Sequence, residues 1–96
     1  MRSETIITVN LYLDKEEYEI FKEIKDLKSS YCYTELEENG EEIIKVSMTD
    51  YDNIENIAYI IWKEYKSVIE NNNSNFRASV IKKLHSHIYG SLPYNW

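Results

Sequence analysis

The chain has 96 residues, of which 17 are acids and 11 are bases, giving a formal net charge of −6. A chain of this length buries only about 60–65% of the surface its unfolded form exposes, so residues 1–96 are read as one compact domain, with no room for a cofactor domain joined to a substrate domain. The hydrophobic fraction of 43%, with only two Gly and one Pro, excludes a disordered tail, a collagen-like repeat and a flexible linker.

From Thr5 to Leu13 the side chains alternate, Ile7, Val9, Leu11 and Leu13 on one side and Thr8, Asn10 and Tyr12 on the other, as in a strand with one buried face. Asp14, with Glu17 three positions on, is an acidic relative of the capping box, and Ile20, Phe21, Ile24 and Leu27 recur at helical spacing. A first helix is therefore expected from Lys15 to Lys28. Asn39-Gly40 between two β-rich runs is a hairpin signal, because both central residues of a type I′ turn take positive φ. A turn centred there sets Leu36 opposite Ile43, Tyr33 opposite Val46 and Tyr31 opposite Met48. Tyr31, Tyr33, Ile44, Val46 and Met48 then form the expected core face. Cys32, Thr34, Leu36, Ile43, Lys45 and Ser47 form a mixed and partly wet one.

A second helix is expected from near Asp52, with Glu55 completing its cap, to near Glu70, and its inner stripe is Ile54, Ile57, Ala58, Ile61, Tyr65 and Val68. Tyr59, Ile60, Trp62 and Ile69 lie off that line and need another cover. After the polar break Asn71 to Asn75, the residues Phe76, Val80, Ile81, Leu84 and Ile88 mark a third helix, expected to provide it. Gly90 stops this helix and Pro93 keeps Leu92 to Trp96 out of it.

The order β-α-β-β-α-α predicts an α+β domain in which a small three-stranded sheet, containing an antiparallel hairpin, packs on helices. A right-handed crossover through the first helix sets strand one beside a parallel strand, a ferredoxin-like arrangement lacking its last strand. Such a sheet has exposed edges. With the extra apolar surface at Tyr59, Trp62 and Ile69, they make self-association as a homodimer an expectation.

A single cysteine, Cys32, cannot form an internal disulfide, which fits a reducing cytoplasm. No apolar run approaches the roughly 20 residues a spanning helix needs, Ile60 to Trp62 included, and the first residues carry no signal-peptide pattern, so neither membrane insertion nor export is expected. Thirteen Ile against six Leu, with nine Asn and nine Tyr, is the bias of AT-rich coding. That bias is common in low-GC bacteria and in the viruses and mobile elements of microbes.

Charge is distributed unevenly. Residues 1–70 carry all seventeen acids against eight bases, a net −9, whereas residues 71–96 carry Arg77, Lys82 and Lys83 with no acid, a net +3. The acids gather at Asp14, Glu16, Glu17 and Glu19 and at Glu35, Glu37, Glu38, Glu41 and Glu42 around the hairpin tip. Five carboxylates within eight residues repel one another, and they are read either as a soluble tip that guards an edge strand or as a phosphate-mimicking patch offered to a basic partner. Tyr12 and Tyr51, with weak claims to burial and acidic neighbours, join the candidate partner-binding residues. Tyr59, Tyr94 and Trp96 are further candidate contacts, while Tyr31, Tyr33, Tyr65 and Trp62 are read as core.

Catalytic chemistry finds little support. His85 and His87 at i and i+2 diverge by about 200° on a helix and cannot share a metal. Cys32 lacks an orienting acid and is read as a buried or half-buried strand residue. Asp50 and Asp52 lack a third nuclease ligand, and capping accounts for at least one of them. Gly40 and Gly90 are the only glycines, and neither precedes a phosphate-binding helix start. No enzyme activity, cofactor or metal is expected.

The function that follows is a small acidic inhibitor that binds a protein and blocks its basic, nucleic-acid-binding surface. In size, charge and composition, though in no motif, the chain resembles virus- or phage-encoded inhibitors of defence nucleases, anti-CRISPR proteins included, with a nucleic-acid-processing defence complex in the host cytoplasm as partner. One alternative is a structural or regulatory homodimer. The other is a nucleic-acid-binding domain using Arg77, Lys82 and Lys83 as phosphate contacts, which the net charge of −6 disfavours.

Overall fold

The computed structural model describes residues 7–27, 30–71 and 75–92. Along the chain lie β1 (Thr8–Leu13), α1 (Lys15–Glu23), β2 (Cys32–Glu38), β3 (Glu41–Thr49), α2 (Tyr51–Glu70) and α3 (Asn75–Gly90). The three strands form one antiparallel sheet in the order β1-β3-β2. This is the β-α-β-β-α-α, α+β fold expected. One detail differs: β1 and β2 are parallel, but β3 lies between them and pairs with both. The split arrangement leaves β1 and β2 as edges.

One face of the sheet is dry. Val9, Leu11 and Leu13 of β1 and Ile44, Val46 and Met48 of β3 are buried against the three helices, with Phe21, Ile54, Ile57, Ile61, Ile81 and Ile88 fully enclosed. Burying each such side chain contributes roughly 1.5–3 kcal/mol before chain entropy is counted. The other face is open, and there Ser47 Oγ donates to Asn10 Oδ1 at 2.7 Å across the β1–β3 pair. Strand β2 stands apart. Every residue of it except the half-buried Leu36 is exposed, and among the described elements β3 is the one it pairs with.

The ends of the elements correct several expectations. Helix α1 begins at the expected capping box, in which Asp14 Oδ1 accepts from the Glu17 amide at 2.8 Å and Glu17 Oε1 from the Asp14 amide at 2.9 Å. It stops at Glu23 instead of Lys28, since Ile24 is already extended. A turn at Asp26, with φ of 72°, then carries Leu27 into the core, so both Ile24 and Leu27 are buried without being helical. Lys28 itself lies outside the described residues.

Helix α2 is capped by Asp50 and not Asp52. The Asp50 carbonyl accepts from the Ile54 amide at 2.9 Å, its own amide donates to Ile7 at 3.0 Å, and its side chain makes no capping bond. Helix α3 packs on α2 but leaves the outer stripe largely bare: Tyr59 is 61%, Ile69 53% and Trp62 38% exposed, and only Ile60 is half-buried. Trp62 is therefore not core. Arg77 ties the three helices together, with Nη1 2.8 Å from Glu23 Oε2 of α1 and Nη2 3.7 Å from Glu64 Oε1 of α2. Expectations for Thr5, Pro93, Tyr94 and Trp96 lie outside the described residues.

Candidate functional site

The hairpin joining β2 and β3 turns through Asn39 and Gly40, with φ of 52° and 82° as a type I′ turn requires. The register is the one expected from the turn, with Leu36 opposite Ile43 and Tyr33 opposite Val46. Its consequence for charge is direct: Glu37 faces Glu42, and Glu38 faces Glu41. Like charges set directly opposite in a sheet are destabilising, and all four carboxylates stay exposed at the tip.

Strand alternation divides the five hairpin acids between two faces. Glu35, Glu37 and Glu42 share the helix side of the sheet with Tyr33 and Ile44, whereas Glu38 and Glu41 share the open side with Leu36 and Ile43. On the helix side the first turns of α1 face the hairpin and enclose a groove of about 610 Å³. Tyr18 and Tyr33 line it together, their ring centroids 5.5 Å apart. Lys15 Nζ lies 4.0 Å from Glu42 Oε2, and Lys22 Nζ lies 3.2 Å from Glu19 Oε2 on the same helix. Both pairs are well exposed, so screening leaves them little worth.

Tyr33 was expected in the core and is 58% exposed. It points to the helix side of the sheet, opposite Val46, but the helices do not extend over the edge strand. Tyr31 is half-buried, packed edge-on against Phe21 at 4.8 Å between centroids. Burial and a hydrogen bond with Tyr31 push the Tyr18 hydroxyl up to about 12. Tyr18 escaped the sequence reading. Its spacing from Phe21 places it on the sheet-facing side of α1, and that was the available signal.

The remaining candidates fall in different places. Asp14 and Glu17 are engaged in the capping box, while Glu16 is exposed on the first turn of α1 and does not line the groove. Tyr12 is 57% exposed but belongs to the open face, opposite Lys45, with its back to the groove. Tyr51 is half-buried against the core at the start of α2. Eight steps of β3 at about 3.4 Å each separate that end from the tip by roughly 27 Å, so Tyr51 is no part of the acidic site. Cys32, expected to be buried or half-buried, is exposed on β2, because strand alternation turns it to the open face of the sheet beside Ser47.

His85 and His87 look to different sides of α3. His85 stacks between Trp62 and Tyr89, with centroids 5.0 and 5.4 Å away, and burial lowers its pKa. With Tyr65 against Trp62 at 5.3 Å, four rings run in a row across the outer α2–α3 surface. His87 lies toward β1, beside Lys83 and Asn10. Among the described residues, no three His, Cys, Asp or Glu side chains gather to hold a metal ion. The basic alternative loses strength, because Arg77 is committed to Glu23 and Glu64 and leaves only Lys82 and Lys83 exposed on α3.

No helix among the described residues is long and apolar enough to cross a membrane. No protein-family model, no curated protein and no solved structure matches the chain.

Proposed function

We propose that the chain is a small acidic binding protein, without catalysis of its own, that docks its hairpin on a basic surface of a partner protein and blocks nucleic-acid binding there. The observation that carries this reading is the register that sets like charges opposite one another across the hairpin, Glu37 with Glu42 and Glu38 with Glu41. A tip that only needed solubility could alternate its charges and avoid the repulsion. A tip that meets a cationic surface gains from concentrating them, because complementary potentials steer association and fix register. The setting of the proposal is the one expected from composition: a virus- or phage-encoded inhibitor, of the anti-CRISPR kind, acting in the host cytoplasm on a nucleic-acid-processing defence complex.

The test is capture of partners from host lysate by the tagged protein, before and after nuclease treatment, with elution in rising salt. The expected result is a basic nucleic-acid-handling protein that survives nuclease treatment and leaves at modest salt. Gln at Glu37, Glu38, Glu41 and Glu42 together should weaken that capture and flatten its salt dependence. Unchanged capture by this variant overturns the reading.

A second reading has its own observation. Tyr59, Trp62 and Ile69 are exposed on the outer surface of α2, where a second copy would cover them. Light scattering at two concentrations separates a homodimer from a monomer.

A further inference from the structure

Among the described residues strand β2 has one hydrogen-bonded neighbour, β3, and the register identifies which of its backbone groups lack a strand partner there. In a two-residue hairpin the residues flanking the turn exchange hydrogen bonds, and such pairs then alternate along the ladder. Glu38 with Glu41, Leu36 with Ile43, Thr34 with Lys45 and Cys32 with Ser47 are therefore the bonded pairs. The amides and carbonyls of Tyr33, Glu35 and Glu37 point away from β3, toward the open edge. The same three residues direct their side chains into the groove beside α1. Backbone valence and side-chain recognition thus coincide along one row.

We propose that this edge accepts an extended, basic segment of a partner protein as a fourth strand, an inference that rests on the binding function proposed above. Strand addition supplies affinity through main-chain bonds and specificity through alternate side chains. Side chains two residues apart on an added strand repeat at about 6.8 Å, the same repeat as Glu35 and Glu37. Arginine or lysine at alternate positions would meet those carboxylates and lie along the exposed Tyr33 ring, where a cation over an aromatic face is favoured. A second copy of this chain does not fit. Strand β2 carries Glu35, Glu37 and Glu38 and no base, so pairing it with its own equivalent crowds like charges into one ladder with nothing to offset them.

The probe is a synthetic decapeptide of alternating arginine and threonine, compared with one of the same composition arranged as five arginines followed by five threonines. Titration followed by amide NMR should show the alternating peptide binding at least tenfold more tightly. The amides of Tyr33, Glu35 and Glu37 should gain protection from hydrogen exchange. Methylating every backbone nitrogen of the alternating peptide keeps its charge, removes its donors and should abolish binding. In the protein, Glu35→Pro removes one outward donor while sparing the bonds to β3, and it should weaken the peptide by more than Glu35→Gln. Equal binding by the alternating, block and methylated peptides overturns strand addition while leaving charge-driven docking intact. Absence of binding by all of them also overturns it, and the lysate experiment then judges the broader reading separately.

Discussion

Glu37 of β2 lies directly opposite Glu42 of β3, and Lys15 reaches Glu42 only at 4.0 Å with both side chains exposed. The hairpin therefore carries a repulsion that its fold does not need. Glu37→Lys converts the pair to opposite charges and is expected to raise stability by about 0.2–1 kcal/mol, measured by urea unfolding at low salt. The same change should weaken association with a basic partner. A stability loss would show that Glu37 has a favourable contact within the fold.

Asp50 holds φ at 73° and ψ at 129° between β3 and α2, a conformation that costs a residue with a Cβ. Its amide bond to Ile7 and its carbonyl bond to Ile54 use the backbone alone, and its side chain contributes no cap. Asp50→Gly keeps both bonds and relieves the strain. The expected gain is about 1 kcal/mol, read from the midpoint of chemical denaturation.

His85 gives the protein a pH dependence of defined sign. Burial between Trp62 and Tyr89 lowers its pKa below the ordinary 6.5 in the folded state, so the unfolded chain takes up a proton more readily. Its contribution is present above the unfolded value and is lost as pH falls through the folded one. Thermal midpoints should decline between about pH 7.5 and 5.5, above the range where carboxylates titrate. His85→Gln should flatten that decline, and an equal slope in the variant would assign it to another group.

Burial separates two aromatic substitutions. Phe21 is fully enclosed and supports Tyr31 at 4.8 Å, so Phe21→Ala is expected to cost about 3–5 kcal/mol through the cavity it leaves. Tyr59 is 61% exposed, and Tyr59→Ser should stay within about 0.5 kcal/mol. If the chain dimerises through α2, the second substitution instead lowers the association constant in sedimentation or light scattering.

Much of this architecture was legible along the chain, because alternation, capping and turn chemistry act between neighbours. Val9, Leu11 and Leu13 declare a buried face by their period, Asp14 and Glu17 declare a helix start, and Asn39-Gly40 sets a turn from which every pair down to Cys32 and Ser47 follows. Once that register stands, the Glu37–Glu42 and Glu38–Glu41 pairings follow from counting. What only the tertiary structure decided was coverage. The apolar spacing of Ile24 and Leu27 is the same for a continued helix as for an extended residue and a turn, and packing chose the second. Register assigned Tyr33 to the helix side of the sheet, but the sideways reach of α1 left it open on the rim of a groove. Tyr59 and Ile69 were likewise left bare by the line along which α3 meets α2. A local pattern specifies which way a side chain points. Whether anything lies there depends on how elements distant in the chain come to rest against one another.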